Sequence, residues 1–277
     1  MLGEKEKFID IEQVLKKRKP GLMRWIPRFV LNYVKRKIHE DLVNECIHLH
    51  GDKFEHDFND ACLEFLKAKV IVENSESIPK SGGVIIVSNH PLGGLDGMAM
   101  IHAISKVRGD VRFMVNDVLK NLKNFGEIFV GVNKMGVTPG EALKAVDKFY
   151  SSEAASLVFP AGLVSRKLKG EIRDLDWRKS FITKAIQYNK PILPAFVDGR
   201  NSEFFYNFSN WRKRLGIKAN IEMFFLADEM VRQKDKTIRI RFGDLIQPSE
   251  LNRVKNNWVL AQEIKEKVYK LGDDHTR

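Results

Sequence analysis

Residues 83–88 read Gly-Val-Ile-Ile-Val-Ser, four consecutive β-branched side chains between the turn signals Lys80-Ser81-Gly82 and Asn89-His90-Pro91. A strand with one wet face alternates apolar and polar residues, whereas an unbroken apolar run has both faces covered. The chain must therefore supply helices to both sides of a sheet, which points away from an all-β sandwich or a helical bundle.

The rest of the chain supplies them in alternation. Helical periodicity over 52–68, 96–107, 138–152 and 179–189 interleaves with strand-like runs at 70–73, 112–116, 127–132, 156–160 and 192–197. Thr138, Pro139 and Glu141 have the pattern of a cap, a first-turn proline and a capping-box partner. Residues 237–243, Thr-Ile-Arg-Ile-Arg-Phe-Gly, alternate strictly, so the spacing predicts apolar and arginine side chains on opposite faces. Residues 221–230 fit either helix or strand, and 249–271 read as a closing helix. The expected fold class is α/β, a single mixed, mainly parallel sheet flanked by helices and preceded by a helical N-terminal region. The division falls between a basic, amphipathic helical region at 1–68 and an α/β domain with a closing C-terminal helix at 69–277.

A chain of 277 residues, 43% hydrophobic, can bury such a core, which sets aside disordered and disulfide-dependent classes. Cys46 and Cys62 lack metal-ligand spacing and read as packing residues in a reducing compartment. The seven histidines form neither HExxH nor a cysteine-assisted cluster, so no metal is expected. With no leader pattern and no apolar run of about 18 residues, neither export nor a membrane span is expected.

The formal charge of +11 favours an anionic partner. Residues 1–40 hold 11 Lys or Arg against 5 Asp or Glu. Within them Leu22, Trp25, Ile26, Phe29, Val30, Tyr33, Val34 and Ile38 recur at near-helical spacing among Arg24, Arg28, Lys35, Arg36 and Lys37. Such a helix suits an anionic membrane surface, and it equally suits docking on the main domain with a solvated basic back. No recognition helix, zinc pattern or RNA-reading aromatic motif accompanies the charge, so nucleic acid is not expected as a partner.

Three loops, at 88–94, 159–167 and 197–201, fall at the carboxyl ends of strands, where open α/β sheets bind ligands. His90 ends one strand and Asp96 opens the next helix, while Pro91 restrains the chain and Gly93 and Gly94 permit a tight reversal. A carboxylate on one imidazole nitrogen fixes the tautomer and leaves the other nitrogen free to take a proton from a hydroxyl. GxSxG is absent and both cysteines lie in the N-terminal part, so direct transfer to an external nucleophile fits better than a covalent intermediate. Taken alone, the same residues also make a strand-ending turn and an ordinary helix cap.

NHPLGGLDG at 89–97, EIFVGVNK at 127–134, VFPAGLVSRK at 158–167 and KPILPAFVDG at 190–199 resemble, in order, four blocks of the glycerolipid acyltransferase family, also called PlsC-like. The fold resemblance runs from about residue 70 to 245. Five residues separate His90 from Asp96 where the usual block has four, and Ala161 stands where many relatives have glutamate. Both features resemble the hemolysin-like branch, which includes ornithine- and glycine-lipid O-acyltransferases.

The resemblance implies His90 and Asp96 as the catalytic pair and Asn133, Lys134, Gly162, Ser165 and Arg166 as substrate-binding residues. Backbone amides near Gly93, Gly94 or Gly162 are the implied oxyanion donors. It implies no bound cofactor, an acyl carrier protein (acyl-ACP) or coenzyme A (acyl-CoA) thioester as acyl donor, and a lysolipid acceptor, here a lyso-aminolipid of the ornithine or glycine type. Lysophosphatidate acylation and a noncatalytic lipid-binding role at the membrane surface are the alternatives. The expected location is cytoplasmic, peripheral to the inner face of the cell membrane through the N-terminal region. An apolar slot walled by some of the 18 phenylalanines is expected for the acyl chain.

Overall fold

The structure, a computed structural model, describes residues 10, 12–13, 16, 26–115, 117–120, 122–131, 139–251 and 256–273. Helix α1 (Arg28–Lys37) begins directly after Pro27, whose extended backbone fits the first-turn preference of proline. His39, at φ 52°, turns the chain into α2 (Glu40–His50), and α3 (Glu55–Phe65) leads to strand β1 (Lys69–Glu73). Of the predicted apolar stripe, Leu22 and Trp25 lie outside the described residues. Leu31 is the buried residue of α1, while Phe29 and Tyr33 face outward at 74% and 43% exposure.

Next come β2 (Val84–Ser88), α4 (Gly94–Ser105), β3 (Arg112–Val115), α5 (Asp117–Lys120), β4 (Phe129–Gly131), α6 (Pro139–Ser151) and β5 (Ala155–Val158). A hairpin, β6 (Arg166–Leu168) with β7 (Glu171–Arg173), precedes α7 (Ser180–Gln187) and β8 (Ile192–Asp198). Helices α8 (Glu203–Arg214) and α9 (Leu226–Val231), strand β9 (Thr237–Phe242), α10 (Pro248–Leu251) and α11 (Asn257–Asp273) complete the chain. Neither the hairpin nor α8 was expected. Residues 221–230 resolve as a 3-10 turn running into α9.

Seven strands form one sheet in the order β1-β9-β8-β2-β5-β3-β4, and only the β8–β9 pair is antiparallel. The mixed, mainly parallel sheet flanked by helices is thus as expected. Strand β2 sits between β8 and β5, fully buried along its length. Val84 and Ile86 join one core with Leu95, Met100 and Ile101 of α4, while Ile85 and Val87 join the other with Phe181 of α7 and Ile264 of α11. Each such side chain contributes roughly 1.5–3 kcal/mol by leaving water, so β2 is the fixed point from which the following loop is aimed. Strand β9 buries Ile238, Ile240 and Phe242 and exposes Arg239, while Arg241 is buried against Glu73.

Candidate active site

The loops after β2, β5 and β8 meet at one end of the sheet. Asn89 joins the first to β8 through a reciprocal pair, donating to the Val197 carbonyl at 2.8 Å and accepting from the Val197 amide at 2.7 Å. Ser165 N–H donates to the His90 carbonyl at 2.8 Å, which ties in the loop after β5. Gly199 lies so close to Leu92 that an added Cβ would come within 2.7 Å of its Cδ1.

His90 Nδ1–H donates to Asp96 Oδ2 at 2.9 Å. The same oxygen accepts the Leu92 and Gly93 amides at 2.8 and 3.0 Å, so the turn is wrapped around the carboxylate. Gly93 permits this with φ of +83°, and a Cβ there would press on Leu226 at 3.3 Å. Asp96 is fully buried, and its Oδ1 has no hydrogen-bond partner. Burial drives its carboxyl above the ordinary value of 3.8, against the pull of His90 and the two amides. The imidazole is 17% exposed, and with Nδ1 engaged, Nε2 is the nitrogen left to meet a substrate.

Beneath the histidine lies a network the sequence did not reveal. Buried Asp174 accepts the Ser165 hydroxyl at 2.6 Å, the His90 amide at 3.2 Å and Trp177 Nε1 at 2.9 Å. Tyr269 and Lys265 of α11 fix the Asp174 backbone. Phe159 stacks on the His90 ring with centroids 4.2 Å apart. From it a row of ring contacts continues through Phe113, Phe129 and Phe125 to Phe58. The Phe159 ring belongs to the FPAG block, so residue type and place were visible, but its partner was not.

Several expected roles change. The Arg166 guanidinium is 1% exposed, pairs with Glu222 at 2.9 Å and lies over the Phe205 ring, so it holds the fold together instead of meeting an acceptor. Ser165 is spent on Asp174 in the same way. The Gly93 amide is occupied by Asp96 and offers nothing to an oxyanion, whereas Gly94 opens α4, where amides have no intrahelical partner. Gly162, at φ +66°, makes the turn after β5 and donates to the Phe159 carbonyl. Against it lies the exposed guanidinium of Arg178, which no carboxylate pairs among the described residues. Asn133 and Lys134 lie outside the described residues.

A mainly parallel sheet that offers a buried carboxylate, a histidine turned outward by it and a row of phenylalanines is compatible with an acyl-transfer class. The family described as Acyltransferase matches residues 13–274, and the chain belongs to it. That match extends beyond the 70–245 expected, through the N-terminal helices. The chain is 42% identical over 265 residues to the lyso-glycine lipid O-acyltransferase of Bacteroides thetaiotaomicron, covering 95% of this chain and 97% of the relative. A lyso-glycine lipid O-acyltransferase of Phocaeicola vulgatus is likewise 42% identical, with 95% of each covered. In fold it is similar to the 1-acyl-sn-glycerophosphate acyltransferase PlsC of Thermotoga maritima, with a TM-score of 0.52, 17% identity and 90% of each chain covered.

Proposed function

We propose that this chain transfers a fatty acyl group from an acyl thioester to the hydroxyl of a lyso-aminolipid, of the glycine type by the names of its relatives. The observation that carries the reading is the His90–Asp96 pair, with Nε2 directed away from the carboxylate. The acceptor oxygen attacks the thioester carbonyl carbon while Nε2 takes its proton. The tetrahedral intermediate collapses with cleavage of the C–S bond, and the proton passes from the imidazolium to the departing thiolate, leaving an ester and a free thiol. Asp96 orients the ring and stabilises its protonated form. The Gly94 amide is the candidate oxyanion donor.

The phenylalanine row from Phe159 to Phe58 forms one wall for the acyl chain. Arg178 supplies the cation for an acceptor carboxylate, the part first assigned to Arg166. Lys134 and Asn133 stay in the proposal as acceptor residues on sequence grounds, and acyl-ACP or acyl-CoA is the donor. The protein works at the cytoplasmic face of the membrane as a peripheral protein. No helix among the described residues is long and apolar enough to cross a membrane.

The test offers acyl-ACP and acyl-CoA in turn with lyso-glycine lipid, lyso-ornithine lipid and lysophosphatidate. Preferred consumption of an aminolipid, abolished in His90→Ala, is expected, and preferred consumption of lysophosphatidate would overturn the acceptor assignment. Arg178→Ala should raise the acceptor KM about tenfold with little change in kcat, as loss of a charge-assisted contact made in both ground and transition states.

A further inference from the structure

Helix α8 is apolar on its outward face as well as its inward one. The inward face buries Phe205 and Tyr206 together with Ser209 and Arg212, and Arg212 reaches the fully buried Glu222 alongside Arg166. The outward face carries Phe204, Phe208, Trp211 and Leu215, spaced four, three and four apart so that they form one stripe. Phe204, Trp211 and Leu215 are 48%, 54% and 55% exposed, and Phe224, on the turn that packs beside the helix, is 63% exposed. Rings within this ridge contact one another through Phe208 and Phe225, so it is a preformed surface. A solvated helix gains nothing from this arrangement.

Cations lie beside the ridge. Arg214, on one flank of the stripe, and Lys218, in the turn that follows, are exposed, and among the described residues neither has a carboxylate partner. Aromatic rings at the level of lipid head groups, with lysine and arginine beside them, are the composition of a bilayer interface. The ridge is also joined to the catalytic turn. Asn201 donates its side-chain amide to the Pro91 carbonyl and its backbone N–H to the Tyr206 hydroxyl, each at 3.0 Å, while Leu226, directly after Phe225, packs on Gly93. Lys37 and His39, at the end of α1, bond Asp228 of α9 at 3.0 and 2.9 Å, so the basic N-terminal helix is held by the same unit.

We propose that the outward face of α8, with Phe224 and the cations Arg214 and Lys218, docks on an anionic lipid bilayer and sets the catalytic turn against it. This deepens the acyl-transfer reading, because an acceptor anchored in the bilayer would then be presented to His90 without leaving the membrane.

The test is co-sedimentation of the full chain with vesicles of phosphatidylglycerol in phosphatidylcholine and with vesicles of phosphatidylcholine alone, read without turnover. Wild type should bind the anionic vesicles at least about tenfold more strongly, since each cation near such a surface adds to attachment. The ridge variant Trp211→Ser/Leu215→Ser/Phe224→Ser and the charge variant Arg214→Gln/Lys218→Gln should each lose about tenfold or more, with unchanged thermal melting. The charge variant leaves the aromatic packing intact, so a folding defect in the first does not decide the outcome. Wild-type binding in both variants, equal binding to neutral vesicles, or loss only in Phe29→Ser/Tyr33→Ser would overturn the proposal. So would self-association of the wild type that the ridge variant abolishes, since a second copy would then be the occupant. Ridge-dependent binding by a chain inactive on every acceptor would uphold it while failing the acyl-transfer reading.

Discussion

Asp96 carries a conflict between what catalysis asks and what burial prefers. The reaction needs it ionised to steady an imidazolium, yet the carboxylate is fully buried and, among the described residues, one of its oxygens has no partner. Because its folded pKa is raised, the native state holds the proton more tightly than the unfolded chain. This contribution to stability is therefore complete below the unfolded value of about 3.8 and is lost as pH rises through the higher folded value. Asp96→Asn removes that dependence. Thermal melting across pH should show wild type gaining on the variant as pH falls through the raised value. Turnover at neutral pH should drop by roughly 10³–10⁴ in the variant, because an amide cannot stabilise the charged ring.

At the level of elements, legibility followed how much each segment's pattern owed to local sequence. Strand β2 was readable because burial on both faces leaves no polar residue from Val84 to Val87, and β9 because isoleucine and phenylalanine alternate with arginine in the sequence, although Arg241 is itself buried. Helix α8 was not readable, since rings lie on both of its faces, Phe205 and Tyr206 buried and Phe204 and Trp211 exposed, while Ser209 and Arg212 are buried too, which leaves no single apolar stripe. The strands of the β6–β7 hairpin, three residues each, are too short to show a period. The His90–Asp96 pair was visible because six residues and two glycines close it locally. Asp174 lies 84 positions from His90, and nothing in either neighbourhood announces the other.

The docking of α1 and α2 rests on a similar distant pairing and allows a direct test. Burial acts to raise the Asp228 carboxyl, but hydrogen bonds from His39 and Lys37 hold it below its ordinary value. A depressed folded pKa gives stability that is present above the unfolded value and disappears as pH falls through the folded one. Asp228→Asn should weaken the attachment by about 1 kcal/mol, a figure limited by partial exposure of the partners. Limited proteolysis should then cut between α2 and α3 faster, with no change in the melting of the sheet domain.

Across the whole molecule, a buried cluster of charges lies beneath the exposed aromatic ridge of α8, and its contribution can be measured. Arg166 from β6, Arg212 from α8 and Glu222 meet at one buried point, joining the loop after β5 to the aromatic ridge. One carboxylate answers two guanidinium groups there, so removing its charge strands both cations away from water. Breaking a buried ion pair by loss of one partner costs about 3–5 kcal/mol. Glu222→Gln should therefore lower the unfolding free energy read from a denaturant titration by an amount in that range, seen as a lower midpoint without a large change in the unfolding slope. A loss below about 1 kcal/mol would mean that water reaches the cluster, and the ridge would then be an ordinary mobile surface helix and not a fixed platform.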